Sequence, residues 1–334
     1  MAIDVLAIGE LLIDFIAERQ APDVGQAKSF ARNAGGAPAN VAVGVRRLAL
    51  SSGFCGKVGD DPFGRYLAGV LRDEGVNVDG IRFDAQTRTT LAFVSLGEGG
   101  ERSFSFFRNP GADMMLRADE LDIKLISECK VLQHGSISLI SDPSREATRT
   151  AVRIASGSGA IICFDLNLRP ALWGSMDEAR GAIFSSCREA NVIKASYEEL
   201  KELTGACGEE EGVMALRGHA KREVMIVVTC GSSGSSAYLG DLAVKAPGFA
   251  VESVDTTGAG DGFLASFLAC LIGIAGDAPL KERMAGLTSK DLKSCLIRAN
   301  AAGAICTMRK GAIPSLPTSA ELEGFLAKRF FEKP

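Results

Sequence analysis

From about residue 115 onward short β-rich runs alternate with segments that carry helical signals, without an internal sequence repeat. The runs are Val131-Leu-Gln-His134, Ala160-Ile-Ile-Cys-Phe-Asp165, Asn191-Val-Ile-Lys194 and Val224-Met-Ile-Val-Val-Thr229, the last being the most apolar. Between them, Asp142 is placed as a cap with Pro143 at the first helical position, a helix is expected near 176–188, and another begins at Ser196. Strands separated by helices pair in parallel, because each crossover returns the chain to the same end of the sheet. The helices then cover both faces, so the strands read as continuous apolar runs. The rhythm predicts an α/β fold of three α/β/α layers around a mostly parallel central sheet.

The first third departs from this rhythm. The N-terminal MAIDVLAIGELLIDF carries Asp4, Glu10 and Asp14 and no basic run, so it reads as a buried strand closed by Asp14 and not as a signal peptide. Residues 62–75 read as a helix, with Asp61 as cap, Pro62 at the start and Gly75 at the end. Thr90–Leu96 and Arg102–Arg108 alternate with period two around the turn Gly97-Glu-Gly-Gly-Glu101, a β-hairpin signal. With the region from Phe15 to Phe30 they predict a small sheet outside the main layers. One domain spanning 1–334 is expected, with a lid formed by about 15–33 and 88–112.

Composition excludes several functions. The net charge of −4 without a basic block argues against nucleic acid as a partner. The two histidines, His134 and His219, lie in no motif that would build a metal site or a Ser-His-Asp machine. The nine cysteines are odd in number, scattered, and never spaced C-x-x-C, so they read as reduced core residues of a cytoplasmic protein. The longest later apolar stretch, Gly262–Ala275, is too short to span a bilayer, so no membrane is expected as a partner.

The stretch with most chemical content is Asp255-Thr-Thr-Gly-Ala-Gly-Asp261, which opens an apolar helical run. Glycines ahead of a helix can set several amides around one concavity, a nest for an anion. A carboxylate beside an anion is unfavourable unless the chemistry needs one. A base that deprotonates a hydroxyl while the amides hold a phosphoryl group meets that need. The alternative is a tight turn with a cap. Ala34-Gly-Gly-Ala-Pro-Ala-Asn40 lets a polar ligand reach the backbone at Gly35 and Gly36 and offers the Asn40 amide, or is a plain strand-to-helix turn. Thr229-Cys-Gly-Ser-Ser-Gly234 ends the strongest strand where ligands bind in open α/β sheets, or turns a hairpin into Ser235–Leu239. Ser196-Tyr-Glu-Glu199 is spaced as a capping box, and Glu199 could instead order metal-bound waters. Arg108 and Arg169 are forked donors suited to phosphate or sugar, or surface ion-pair partners. Asp14 either accepts bonds from hydroxyls or marks a solvated strand end. Neither a P-loop nor a dinucleotide fingerprint occurs.

Together these motifs resemble the ribokinase-like (PfkB) family of sugar kinases, over nearly the whole chain and in the family's order. Gly9–Phe15, Gly56–Asp61, Phe106–Asp113, Gly135–Leu139 and Lys310–Pro317 are similar to segments of the fructokinases in it. The resemblance implies a ribokinase-like fold and transfer of the ATP γ-phosphate to the primary hydroxyl of a hexose, D-fructose to fructose 6-phosphate. Asp261 would be the base, and Gly258, Ala259 and Gly260 the anion hole. Asp14, Gly35, Gly36, Asn40, Arg108 and Arg169 would hold the sugar. Lys194, Ser196, Thr229, Gly231, Gly234, Gly260 and Asn300 would line the ATP site, with Glu199 positioning water on Mg2+. Asp255, Thr257, Cys306, Arg309, Gly311 and Ser315 match a loop pair that binds a monovalent cation, K+, in family members. A homodimer through the lid is a further implication. Leu166 stands where fructokinases usually have proline. The alternatives are a 2-keto-3-deoxygluconate kinase, with Arg108 and Arg169 on a carboxylate, and a catalytically silent relative.

Overall fold

The computed structural model describes residues 3–96 and 102–331. Two sheets organise them. The larger is nine-stranded: β1 (Val5–Ile8), β4 (Ser52–Gly59), β5 (Asn77–Asp84), β8 (Val131–Gly135), β9 (Ile161–Asp165), β10 (Val192–Ser196), β11 (Met225–Thr229), β12 (Gly234–Leu239) and β13 (Leu242–Pro247). Its order is β13-β12-β11-β10-β9-β8-β1-β4-β5, parallel from β11 to β5. Strands β12 and β13 close one edge as an antiparallel hairpin. The smaller sheet is β3-β2-β6-β7, formed by β2 (Leu12–Ala17), β3 (Phe30–Gly35), β6 (Leu91–Leu96) and β7 (Arg102–Phe107).

The apolar runs are buried on both faces, as a parallel sheet requires. Along β1, Val5 and Ala7 pack on one side, and Leu6 and Ile8 on the other. The first side is covered by α1 (Ala37–Arg47), α2 (Pro62–Asp73), α8 (Ala259–Ala275) and α10 (Ser289–Thr307), with the short α9 (Leu280–Ala285) at its rim and α11 (Ser319–Phe331) outside α10. The second is covered by α3 (Ile123–Ser127), α4 (Ser144–Gly157), α5 (Met176–Cys187), α6 (Tyr197–Thr204) and α7 (Glu209–Arg217). Six of the nine free cysteines are buried in these layers; Cys207 is exposed and Cys230 and Cys270 are half-buried. Among the described residues no helix is long and apolar enough to cross a membrane.

Two local expectations need correction. Asp14 does not close the first strand. Strand β1 ends at Ile8, Gly9 takes a φ of +153°, and the chain crosses into the smaller sheet, so that Asp14 lies on β2. Gly9 is pressed against Pro38, whose Cγ would stand 2.7 Å from a Cβ there. Asp142 does not cap α4, which starts at Ser144 after Pro143; its carboxylate instead pairs with Arg145. By contrast, Asp61 caps α2 as expected, accepting from the Gly64 amide at 2.9 Å, and Gly75 ends that helix with a φ of +78°. The hairpin strands β6 and β7 pair antiparallel. Their connecting turn, Gly97–Glu101, lies outside the described residues.

Candidate active site

The site forms where the C-terminal ends of the parallel strands meet the smaller sheet. In open α/β sheets this edge is where ligands gather, because the crossover loops open there. Asp165 and Thr229 end strands β9 and β11, and Lys194, in the middle of β10 between them, faces Asp165 directly in the register.

Helix α8 brings the Asp255–Asp261 loop to this edge. Gly258 is its N-cap, in the left-handed region at φ +78°. A Cβ there would stand 2.9 Å from Ala312 Cα, so glycine is needed for both the turn and the packing. Ala259, Gly260 and Asp261 form the first turn at the positive end of the dipole, where amides have no helical carbonyl to bond; the Ala259 amide donates to the Thr256 carbonyl in the preceding loop at 3.3 Å. Helix α1 brings Asn40 to the same place, and its Nδ2 donates to Asp261 Oδ2 at 2.8 Å. One turn further along both helices, Gly44 meets Ala265, where a Cβ on Gly44 would be only 2.7 Å from that of Ala265. Two small residues thus let the helices approach closely enough for the bond to form.

Two cavities meet at this turn. The first, of about 260 Å³, lies under the smaller sheet and is lined by Asp14, Gly36, Asn40, Arg169, Lys194 and Asp261, among others. The second, of about 450 Å³, lies between α8, α10 and the β12–β13 hairpin, and includes Thr229, Gly231, Gly234 and Asn300. Gly260 and Thr256 line both. The amide turn is therefore the partition between one space and the other.

The first cavity concentrates charge. Lys194 and Asp165 are buried and bonded at 3.0 and 3.2 Å, and the Lys194 Nζ would lie 3.2 Å from a Cβ on Gly260. Burial works against the Lys194 charge, but Asp165, Glu199 and Asp261 around it outweigh that and raise its pKa. Burial likewise works against the Asp165 charge and raises its pKa, and the neighbouring Lys194 opposes that rise. Burial raises Asp261 above the usual carboxylate range, while Asn40, Lys194 and Arg169 pull it back down. Asp14 is pushed up to about 7, by burial first and then by the nearby Asp261. Such a group exchanges its proton near neutrality, as acid–base sites require.

Glu199 both caps its helix and faces the first cavity. It completes a capping box with Ser196, accepting from the Ser196 amide at 2.8 Å, and its other oxygen accepts from the Leu168 amide at 2.9 Å. It also lines the first cavity, 3.9 Å from Arg169. The Thr229–Gly234 turn is likewise both a hairpin turn and a wall of the second cavity. Gly35 and Asp14 are in close approach, since a Cβ on Gly35 would overlap Asp14 Oδ2 at 2.1 Å. In the loop pair, Asp255 accepts from the Thr257 and Gly311 amides, both at 2.9 Å, and Ser315 is buried against Ala312. Cys306 is buried beneath Gly262, and the Arg309 side chain turns away to Glu321.

Arg108 is not among the residues lining the first cavity. It is buried with Asp113, bonded at 2.8 Å, and Asp113 also accepts from Thr90. Sequence reasoning passed over two residues that do matter to the cavity. Asn167, buried with a φ of +36°, lines it; asparagine tolerates that backbone, which is the signal that was available. Glu10, buried beneath the Gly36 turn, accepts from the Ala37 amide at 3.1 Å and is pushed up to about 7 by burial.

Known proteins resemble this chain over nearly its whole length. Residues 2–319 match the pfkB family carbohydrate kinase pattern. Fructokinase-1 of Zea mays is 44% identical over 324 residues, covering 97% of this chain and 98% of that protein. A fructokinase from Xylella fastidiosa, solved with bound ATP, superposes with a TM-score of 0.86 at 32% identity, covering 98% of this chain and 99% of that one. A double-mutant fructokinase from Vibrio cholerae O395, solved with fructose, ADP and potassium ion bound, gives 0.84 at 34% identity, covering 97% and 99%.

Proposed function

The chain belongs to the pfkB family of carbohydrate kinases, and from that premise we propose that it transfers the ATP γ-phosphate to the primary hydroxyl of D-fructose, giving fructose 6-phosphate. The observation that carries this reading is the shared wall. One helix-terminal turn, Gly258–Asp261, separates a polar cavity of sugar size from a larger, more apolar one. The sugar would occupy the first, held by Asp14, the Gly35–Gly36 backbone, Asn40 and Arg169. The nucleotide would occupy the second, along Thr229, Gly231 and Gly234. The hydroxyl loses its proton to Asp261 as its oxygen attacks the γ-phosphorus, and the bond to the β-phosphate oxygen breaks. The amides of Ala259, Gly260 and Asp261, with Lys194 beside them, stabilise the charge on the transferring group. The smaller sheet, as a lid, keeps water out.

Mg2+ would ride on the nucleotide phosphates and offset their charge. Glu199 fits a role in holding its waters, because each carboxylate oxygen has a lone pair beyond the one its amide bond uses. For K+, the oxygen-rich Asp255–Thr257 and Gly311–Ser315 loops fit a hard cation, and the potassium-bound relative supports the assignment. Cys306 and Arg309 could contribute only through their main chain. The reduced cysteines fit a cytoplasmic setting. On the face of the lid away from the cavity, Phe15 and Phe93 stack at 4.9 Å and Phe107 is 63% exposed. A lid-to-lid dimer would cover that edge, and light scattering at the monomer mass would exclude it.

The sugar-acid alternative rested on two arginines, of which Arg169 alone lines the cavity. An ADP-release assay with Mg-ATP and K+ across fructose, glucose, mannose, ribose, adenosine and 2-keto-3-deoxygluconate decides the substrate. We expect kcat/KM for fructose at least about tenfold above the others, a margin that a few lost hydroxyl contacts supply. Turnover centred on the sugar acid would overturn the assignment.

A further inference from the structure

We propose that the nucleotide cavity accepts a purine by its shape without reading its hydrogen-bonding edge, and that Asn300 is a strut holding the cavity wall and not a ligand of the base. The inference rests on the reading of this cavity as the phosphoryl-donor site. Among the described residues that line it, Asn300 alone carries a carboxamide, and none is charged. A carboxamide would read a purine edge well, since it has two donors and an acceptor.

Its groups are already used. Both Asn300 amide hydrogens are donated within the protein, to the carbonyls of Ala246 at 3.2 Å and Pro247 at 3.1 Å. Its Oδ1 accepts from Ser235 Oγ at 2.8 Å. The residue is buried, so withdrawing these bonds to serve a ligand would strand two carbonyls and a hydroxyl. What the bonds do is join α10 to both strands of the β12–β13 hairpin. That junction has no slack: a Cβ on Gly234 would lie 2.1 Å from the Ala246 carbonyl oxygen. From it the chain runs directly into Phe249, Ala250 and Val251, which form the wall. Helix α11 secures the far side, where Phe325 packs edge-on against Phe249 at 5.3 Å and Arg329 donates to the Ala250 carbonyl at 3.0 Å.

The side chains left facing a base are apolar, or are hydroxyls such as Ser232, Ser253 and Thr256. A hydroxyl donates or accepts as required, so it does not distinguish an amino group from a carbonyl. ITP is the direct probe, because it exchanges the 6-amino donor of ATP for a carbonyl acceptor at nearly constant shape. A site that hydrogen-bonds that edge would reject ITP by about 10⁴-fold, whereas an apolar one holds the two within about tenfold. Calorimetric affinities of the whole protein for ATP and ITP test this. A ratio below tenfold is the expected result. A larger ratio means that the main chain of the wall reads the edge, and overturns the proposal. Failure of both to bind overturns it together with the donor-site reading, whereas turnover with ATP tests the kinase reading separately. Asn300→Ala is expected to weaken both nucleotides by the same factor, and a changed ATP-to-ITP ratio would make Asn300 a base ligand. Ser235→Ala, which removes one of the three bonds, applies the same test if Asn300→Ala does not fold.

Discussion

Replacing Asp261 by asparagine separates chemistry from binding and from stability, and the structure sets the sign of all three. The side chains have the same shape, and the Asn40 bond at 2.8 Å fixes where the group sits. The change therefore removes the proton acceptor without opening a cavity. Loss of a positioned base typically costs about 10²–10⁴ in rate. Asp14 lines the same cavity and can take up part of the lost function, so we expect a fall in kcat of about 10³, near 4 kcal/mol of barrier. ATP and sugar dissociation constants should move by less than about tenfold, since the amides and Lys194 are untouched. Stability should go the other way. Burial holds the Asp261 pKa above its unfolded value, so the folded state disfavours the ionised form. That cost is present when pH exceeds the folded pKa and is relieved as pH falls through it. The Tm of the variant at neutral pH is then equal to or above that of the parent, and the gap narrows in acid. Kinetics by coupled ADP release and melting across pH give the four quantities. A kcat within tenfold of the parent, in a folded variant that binds both substrates, would refute Asp261 as the base.

Gly258→Ala places a Cβ 2.9 Å from Ala312 Cα at a φ of +78°, so we expect a loss of about 1–3 kcal/mol in stability with a fall in kcat; full activity at an unchanged Tm would show that the turn does not need glycine. For Asp14, with a pKa of about 7, the ionised form that accepts from a sugar hydroxyl is lost as pH falls through that value. The sugar KM should then be flat at high pH and rise by up to about tenfold per unit below the pKa, and Asp14→Asn should abolish the dependence; a profile unchanged by that substitution would assign the titration elsewhere.

The α/β rhythm made the large sheet legible because strands buried on both faces must be apolar throughout. Lys194 and Asp165 show where that reasoning stops, since one is a charged group inside such a strand and the other a charged group at the end of its neighbour. Only the register, which sets them side by side, shows that each is the other's partner. The lid was legible as a period-two hairpin, but its boundary at Asp14 was not. A change of sheet between β1 and β2 is made by one glycine against one proline, Gly9 and Pro38, 29 positions apart in sequence. The partner of Arg108 was hidden for a similar reason. A forked donor suits a phosphate, a sugar or a carboxylate alike, and the buried Asp113 that engages it lies five positions further on. The Asp255–Asp261 turn was legible because glycines, an apolar helix and a second carboxylate in ten positions constrain both the backbone and the chemistry.

In the proposed mechanism a base beside an anion hole repels the group the hole must hold, and the fold would offset this with positive charge fixed in advance. Lys194 reaches the partition at Gly260, while Arg169 faces the same cavity from the loop after β9. A free lysine at this position would lose side-chain entropy and part of its hydration on meeting each phosphate. Held by Asp165 within a buried pair, it needs little reorganisation, which is the condition under which electrostatic stabilisation is largest. The cost is dependence on the sheet. Because Lys194 and Asp165 are register partners on neighbouring parallel strands, a slip of one residue in either strand would leave the two side chains on opposite faces of the sheet. In the proposed mechanism, the charge that meets the phosphoryl group is thus set by the pairing of β9 with β10, well before any substrate arrives.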